Sequence, residues 1–200
     1  MGQGTYALAR VAVIVRAPAR VLWWSGLLAA GVGALEPGLT GRRIGLPAGA
    51  AIFILTAAGA FLARRGRYTA LAEAADRASR SAFLQDRAVT LRNWRRGRRW
   101  WLLAAFAAAA GSSFALPAAG GLALAGLGAG LWAKARWLGG LERRRGALLW
   151  VRTDWAQGSP AGKAVPGYLT TGPAAGDAAP GGARRRAGRT PSRTAVSAAR

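Results

Sequence analysis

Neither cysteine nor histidine occurs among the 200 residues, and only seven side chains are carboxylates. Without cysteine there is no disulfide, no thiolate nucleophile and no sulfur-ligated metal. Without histidine there is no imidazole base, no Ser–His pair and no His-bound metal. Lysine is confined to Lys134 and Lys163, which leaves a Ser–Lys dyad almost no material. The acids offer no pair for acid–base work either. Glu73 and Asp76 each have an arginine four residues on, at Arg77 and Arg80, the spacing of ion pairs on a helix surface. The sequence therefore predicts no catalytic residues, no metal and no cofactor.

What is present is apolar surface and positive charge. Hydrophobic residues make up 52% of the chain, and the formal net charge is +22. Nearly all of that charge is arginine. With so much alanine, glycine and proline, this reads as GC-rich codon usage, so arginine in place of lysine is no argument for bidentate recognition. The two properties are segregated along the chain, as a bilayer requires: hydrocarbon takes the apolar runs and water takes the charges.

Met1 to Arg20 is a basic leader carrying Arg10, Arg16 and Arg20; its apolar run, Val11–Val15, is too short to span and suits a helix lying on the membrane surface. Val21 to Leu35 is uncharged and opens with Trp23-Trp24. At about 1.5 Å per residue it falls short of a hydrocarbon core of about 30 Å, a gap that snorkelling of Arg20 and the region of Glu36-Pro37 can close. A signal peptide ending near Ala34 is the rival reading of this stretch. Glu36 is the only acid near hydrocarbon, and its place beside Pro37-Gly38 reads as an outer boundary rather than a functional site. Glu36 to Gly45 reads as a turn, with Pro37-Gly38, Gly41 and the pair Arg42-Arg43. Ile44 to Ala63 gives twenty charge-free residues, the clearest span in the chain, ending at Arg64-Arg65-Gly66-Arg67.

Arg64 to Arg99 is a polar insert with eleven arginines against Glu73, Asp76 and Asp86. Tyr68, Leu71, Ala75, Ala78 and Ala82 recur at helical spacing and predict a helix over Tyr68 to Trp94. Trp100 to Ala133 holds 34 uncharged residues, too many for one span and few for two; Gly111-Ser112-Ser113 and Leu116-Pro117 supply a turn, hence a tight hairpin. Leu141 to Trp155 reads as a short surface helix. Beyond Gln157 the Gly, Pro, Ala and Arg content predicts disorder.

The expected fold is thus an all-α integral membrane protein. Four transmembrane helices form two hairpins, 21–63 and 100–137, with a leader at 1–20, a cytoplasmic amphipathic insert at 64–99, a basic surface segment at 138–156 and a disordered basic tail at 157–200. The hairpins resemble each other. Trp23-Trp24 matches Trp100-Trp101, Leu46-Pro47-Ala48 matches Leu116-Pro117-Ala118, and Arg64 matches Lys134. A duplication with parallel repeats would give this pattern. The leader carries +3, the insert +8 and the region from Lys134 onward +10, against +1 in the first turn and none in the second. The positive-inside rule then places the leader, insert and C-terminal region in the cytoplasm of an inner membrane.

Trp23, Trp24, Trp94, Trp100, Trp101, Trp132 and Trp137 are the expected interfacial anchors. Arg64, Arg65, Arg67, Arg95, Arg96, Arg98, Arg99, Arg143, Arg144 and Arg145, with Arg184, Arg185 and Arg186 in the tail, are the expected contacts for anionic lipid or nucleic acid. Gly126 and Gly130 stand at GxxxG spacing, a signal diluted by the glycine-rich background. The leading functional expectation is a non-catalytic structural or accessory membrane protein, self-associating or part of a larger complex, that grips anionic lipid. The alternatives are a membrane-tethered, sequence-independent nucleic-acid binder, as in DNA transfer, and a small transporter or pore. DNA retained by the purified protein would mark the first alternative, and substrate flux in proteoliposomes the second.

Overall fold

The long uncharged stretches form helices, as expected, but the polar segments between them also build a sheet. The computed structural model describes residues 7–35, 38–79, 82–156 and 159–172. In chain order they form β1 (Ala7–Arg10), α1 (Val11–Leu35), α2 (Arg42–Leu62), α3 (Arg65–Glu73), β2 (Asp76–Arg77), β3 (Phe83–Leu84), α4 (Arg87–Gly111), a 3-10 turn (Ser112–Phe114), α5 (Ala119–Arg145), β4 (Leu148–Arg152) and β5 (Leu169–Thr171). The protein is mostly helical. Two segments, Val11–Leu35 and Arg43–Glu73, are long and apolar enough to cross a membrane.

The helices do not pack as their connections suggest. α1 and α2 barely touch, and α5 lies between them with extensive contact to both, while α4 flanks α1 and α5. Glycine makes this possible. A Cβ on Gly121 or Gly128 would run into the α1 backbone at Ala30 and Trp23, and one on Gly126 or Gly130 would strike α2 at Phe53 and Ala57. The glycines at GxxxG spacing are therefore a contact face toward α2, and a second small-residue face of the same helix receives α1. Such close backbone approach is how apolar helices associate where no hydrophobic force drives them together.

At one end of the bundle the two turns meet. The Leu39 amide donates to the Phe114 carbonyl at 3.0 Å, and the Thr40 hydroxyl donates to the Ala115 carbonyl at 3.2 Å. Pro117 fills the space beside Gly38 and Gly45. At the other end the leader, the insert and the C-terminal region share one five-stranded sheet, in the order β2-β5-β4-β1-β3. β4 is its centre, antiparallel to β1 with Ala9 opposite Val151 and to β5 with Leu149 opposite Thr170. Alternation along β4 divides its side chains between two faces. Leu149 and Val151 join Val11, Leu71, Leu138 and Tyr168 beneath the helices. Leu148 and Trp150 pack with Leu8 on the far face, under Ala78, Ala82 and Leu84.

Several expectations are corrected by this end of the molecule. The fold is not all-α. The insert is not one helix from Tyr68 to Trp94: it ends as α3 at Glu73, forms β2 and β3, and re-enters as α4 at Arg87. Leu141–Trp155 is not a surface helix, because α5 stops at Arg145, where Gly146 takes a left-handed conformation (φ 60°), and the chain turns into β4. Val11–Val15 is not a separate surface helix but the first turn and more of α1. Within the segment expected to be a disordered tail, residues 159–172 supply β5 and the buried Tyr168; the tail arginines lie outside the described residues. The repeat does not extend to local structure. Pro47 is inside α2 while Pro117 precedes α5, and Arg64 breaks the chain with a left-handed φ of 58° where its counterpart Lys134 is buried mid-helix.

Candidate functional site

The sheet end of the bundle holds the charge, and the structure sorts the expected arginines into distinct uses. Some hold the fold together. Arg10 pairs with Glu142 inside the protein, Nη2 to Oε2 at 2.6 Å, with side chains 6% and 1% exposed. Its Nε donates to Oε1 at 3.1 Å, and the Leu149 amide donates to the same oxygen at 3.2 Å. One carboxylate thus ties β1, α5 and β4 together. Arg65 lies between the rings of Phe61 and Trp137, 4.6 and 4.7 Å from their centroids. Arg67 donates to the Gly162 carbonyl at 2.9 Å and so straps down the loop before β5. Arg145 donates to the Ala72 carbonyl and approaches Glu73 at 3.7 Å. These arginines are occupied by protein, and lipid or nucleic acid would have to compete for them.

Lys134 is also engaged within the protein. Lys134 donates to the Ala63 carbonyl at 2.8 Å, filling one of the acceptors that the end of α2 leaves open. Ser25 bonds back to the Leu22 carbonyl of its own helix at 3.3 Å, and Ser112 and Ser113 both donate to the Ala109 carbonyl. Near β5, Tyr168 donates to the Pro160 carbonyl at 2.7 Å; burial pushes its phenol well above the ordinary range. On the surface, the hydrogen bond from Arg152 holds the Asp154 carboxyl below its usual range. Glu36 lies outside the described residues.

Other cations stack on aromatic rings at the surface. Arg98 lies over Trp94 at 5.5 Å, Arg99 over Trp100 at 5.4 Å and Arg136 over Trp132 at 4.9 Å. Trp24, Trp100, Trp101 and Trp132 are 56%, 70%, 78% and 47% exposed. Arg64, Arg96, Arg143 and Arg144 are exposed on the same end. Trp23 differs: it is half-buried, edge-on to Phe53 with centroids 6.2 Å apart. Trp137 is half-buried beneath Arg65.

Four arginines, three of them outside the expected contacts, converge on one cleft. A cleft of about 650 Å³ runs between α1 and the amino-terminal half of α4, floored by Gly128 and Ala129 of α5. Arg16 and Arg20, one turn apart on α1, line it together with Arg87 and Arg95, two turns apart on α4. No carboxylate is in its lining. Its other wall is aromatic: Trp23, Trp24, Phe53 and Trp132. Ala109, near the far end of α4, is the only buried residue described on that helix. Of the cleft's arginines, only Arg95 was among the expected contacts. The i,i+4 spacing of Arg16 and Arg20 just before Trp23-Trp24 was the signal available in the sequence.

No family model, no curated protein and no solved structure matches this chain.

Proposed function

We propose that the chain is a multi-pass inner-membrane protein of structural or accessory type whose basic, tryptophan-rimmed end grips anionic lipid on the cytoplasmic side. The observation that carries the reading is the distribution of exposed apolar surface. Leu28, Val32 and Leu35 on α1, Ile54 and Leu55 on α2, and Leu103 on α4 are all 56% exposed or more. Only 11% of the most apolar stretch of α2 and its continuation is buried. A helix at the core of a water-soluble protein would be covered; one facing hydrocarbon needs no cover.

In this reading α4 and α5 also cross the bilayer, although each is short of charge-free length. Trp100–Gly111 and Ala119–Ala133 reach about 18 and 22 Å at about 1.5 Å per residue. Arg99, Arg136 and their tryptophan partners bridge the remainder, by snorkelling outward or by drawing the headgroups inward. The leader, insert and C-terminal region then lie on one side, since they share a sheet, and the positive-inside rule assigns that side to the cytoplasm.

Flotation of the full-length protein with vesicles tests the reading. Retention should rise with the mole fraction of acidic phospholipid and fall with added salt, since each basic group near an anionic surface contributes about 1 kcal/mol that screening removes. Preference for duplex DNA over acidic vesicles at matched ionic strength would overturn it in favour of a tethered nucleic-acid binder. Protein that stays soluble without detergent would remove the membrane itself from the account.

A further inference from the structure

The cleft between α1 and α4 has two unlike halves, and the pairing restricts what can fill it. Arg16, Arg20 and Arg95, with no carboxylate in the lining, repel one another and make the cleft complementary to an anion. Among the described residues, no carboxylate lies within ion-pair distance of Arg16, Arg20 or Arg95. The aromatic half calls for hydrocarbon. A soluble anion would satisfy the first half and leave Trp23 and Trp132 bare. A nucleic-acid duplex is too broad for about 650 Å³. A molecule with a charged head and an apolar body satisfies both, and the cleft has the volume of an ordinary small-molecule site.

We propose that this cleft is a binding site for one acidic phospholipid drawn from the surrounding leaflet, its phosphate held among Arg16, Arg20 and Arg95 and its chains against Trp23 and Trp132. The inference rests on the membrane reading above and goes further, from a surface that attracts anionic lipid in general to a site with a stoichiometry of one. The head sits toward the sheet end, where the arginines are, and the chains run toward the turns, along the direction that α1 and α4 share. Three guanidinium groups favour a headgroup with two negative charges over one with a single charge, and a zwitterionic headgroup binds more weakly than either. Because the cleft lies between α4 and the rest of the bundle, its occupant also fastens the Arg-rich half of α4 to α1.

Native mass spectrometry of the full-length protein, released from a neutral detergent, provides the test. Phosphatidic acid, phosphatidylglycerol, phosphatidylcholine and glycerol phosphate are titrated separately. The expected result is a single tight equivalent of phosphatidic acid, with phosphatidylglycerol weaker and phosphatidylcholine weaker by roughly tenfold or more, as loss of charged hydrogen bonds implies. R16Q/R20Q should weaken that first equivalent about tenfold, and A129F, which fills the floor without touching a charge, should weaken it too. R96Q/R99Q removes exposed arginines that do not line the cleft; it should leave the first equivalent unchanged while lowering flotation with acidic vesicles. Equal first-equivalent affinity in the parent, R16Q/R20Q and A129F would overturn the proposal, and so would glycerol phosphate binding as tightly as the lipid. If the parent inserts into vesicles yet shows no distinct first equivalent, this site fails and the membrane reading stands. Failure to associate with vesicles at all removes both.

Discussion

Glu142 is fully buried and, with Arg10, forms an ion pair between residues 132 positions apart. Taking both charges out of water is costly, and their attraction with the Leu149 amide bond offsets that cost only while all three groups are in place. Removing one partner leaves the other charged and buried. E142A should therefore destabilise the sheet end by about 3–5 kcal/mol, and R10M/E142L should recover most of that loss. A double-mutant cycle on chemical unfolding in detergent measures both. A second residue-scale prediction uses the glycines as a matched pair. Gly126 faces the backbone of Phe53, whereas Gly31 has open space around its Cβ position. G126V forces α5 away from α2 and should cost about 1–3 kcal/mol, the usual range for overpacking. G31A should be neutral or slightly stabilising, because alanine is the better helix former. Equal effects at both positions would mean that α5 does not pack on α2 as described.

At the scale of elements, the absence of native cysteine makes proximity simple to measure. Thr40 and Ala115 are joined by a hydrogen bond across the two turns, so T40C/A115C should cross-link rapidly with a short bifunctional reagent. A pair placed at mid-height on α1 and α2 should not, because α5 separates those helices. Two independent hairpins would give the opposite pattern. The helical stretches and both turns were legible in the sequence because their signals are local: charge-free runs, Pro-Gly, Gly-Ser-Ser. The sheet was not. β2 and β3 are two residues each, and β1 finds β4 only after about 140 intervening positions, with registers such as Leu8 opposite Arg152. Leu148-Leu149-Trp150-Val151 is a continuous apolar run, and such a run fits a buried strand or a helix equally well by periodicity alone. The cleft was half legible. Arg16, Arg20 and Trp23-Trp24 announce a basic and aromatic face, but nothing local says that Arg87 and Arg95 stand across from it.

For the whole molecule, orientation is the property most open to direct measurement. Reporter fusions after Gly66 and Gly146 should be active in the cytoplasm, and fusions after Gly41 and Ser113 on the far side. The reasoning is both electrostatic and structural: the insert and the C-terminal region carry the excess charge, and they share a sheet that cannot be divided between two sides of a membrane. Opposite location of the Gly66 and Gly146 reporters would contradict the sheet as well as the topology. A mature chain beginning near Leu35 would establish the cleaved-signal reading of α1, and β1 would be lost with it.

The central place of α5 also has a consequence in time. The glycine faces that hold α1 and α2 belong to a helix beginning at Ala119, long after Leu35, where α1 ends. At a synthesis rate of about 5–20 residues per second, α1 waits roughly 4 to 17 seconds for its principal neighbour to begin leaving the ribosome. In the proposed membrane placement, α1 and α2 lie in the bilayer as single helices during that interval, and β1 has no β4 to pair with. The newborn chain therefore depends on lipid, or on the insertion machinery, to shelter surfaces that the finished protein covers itself. A chain stopped at Ala118 should insert and then be degraded quickly, whereas one stopped after Thr171 should persist. Pulse–chase labelling of the two truncations would show whether residues 119–171 are what turns separate helices into a protein.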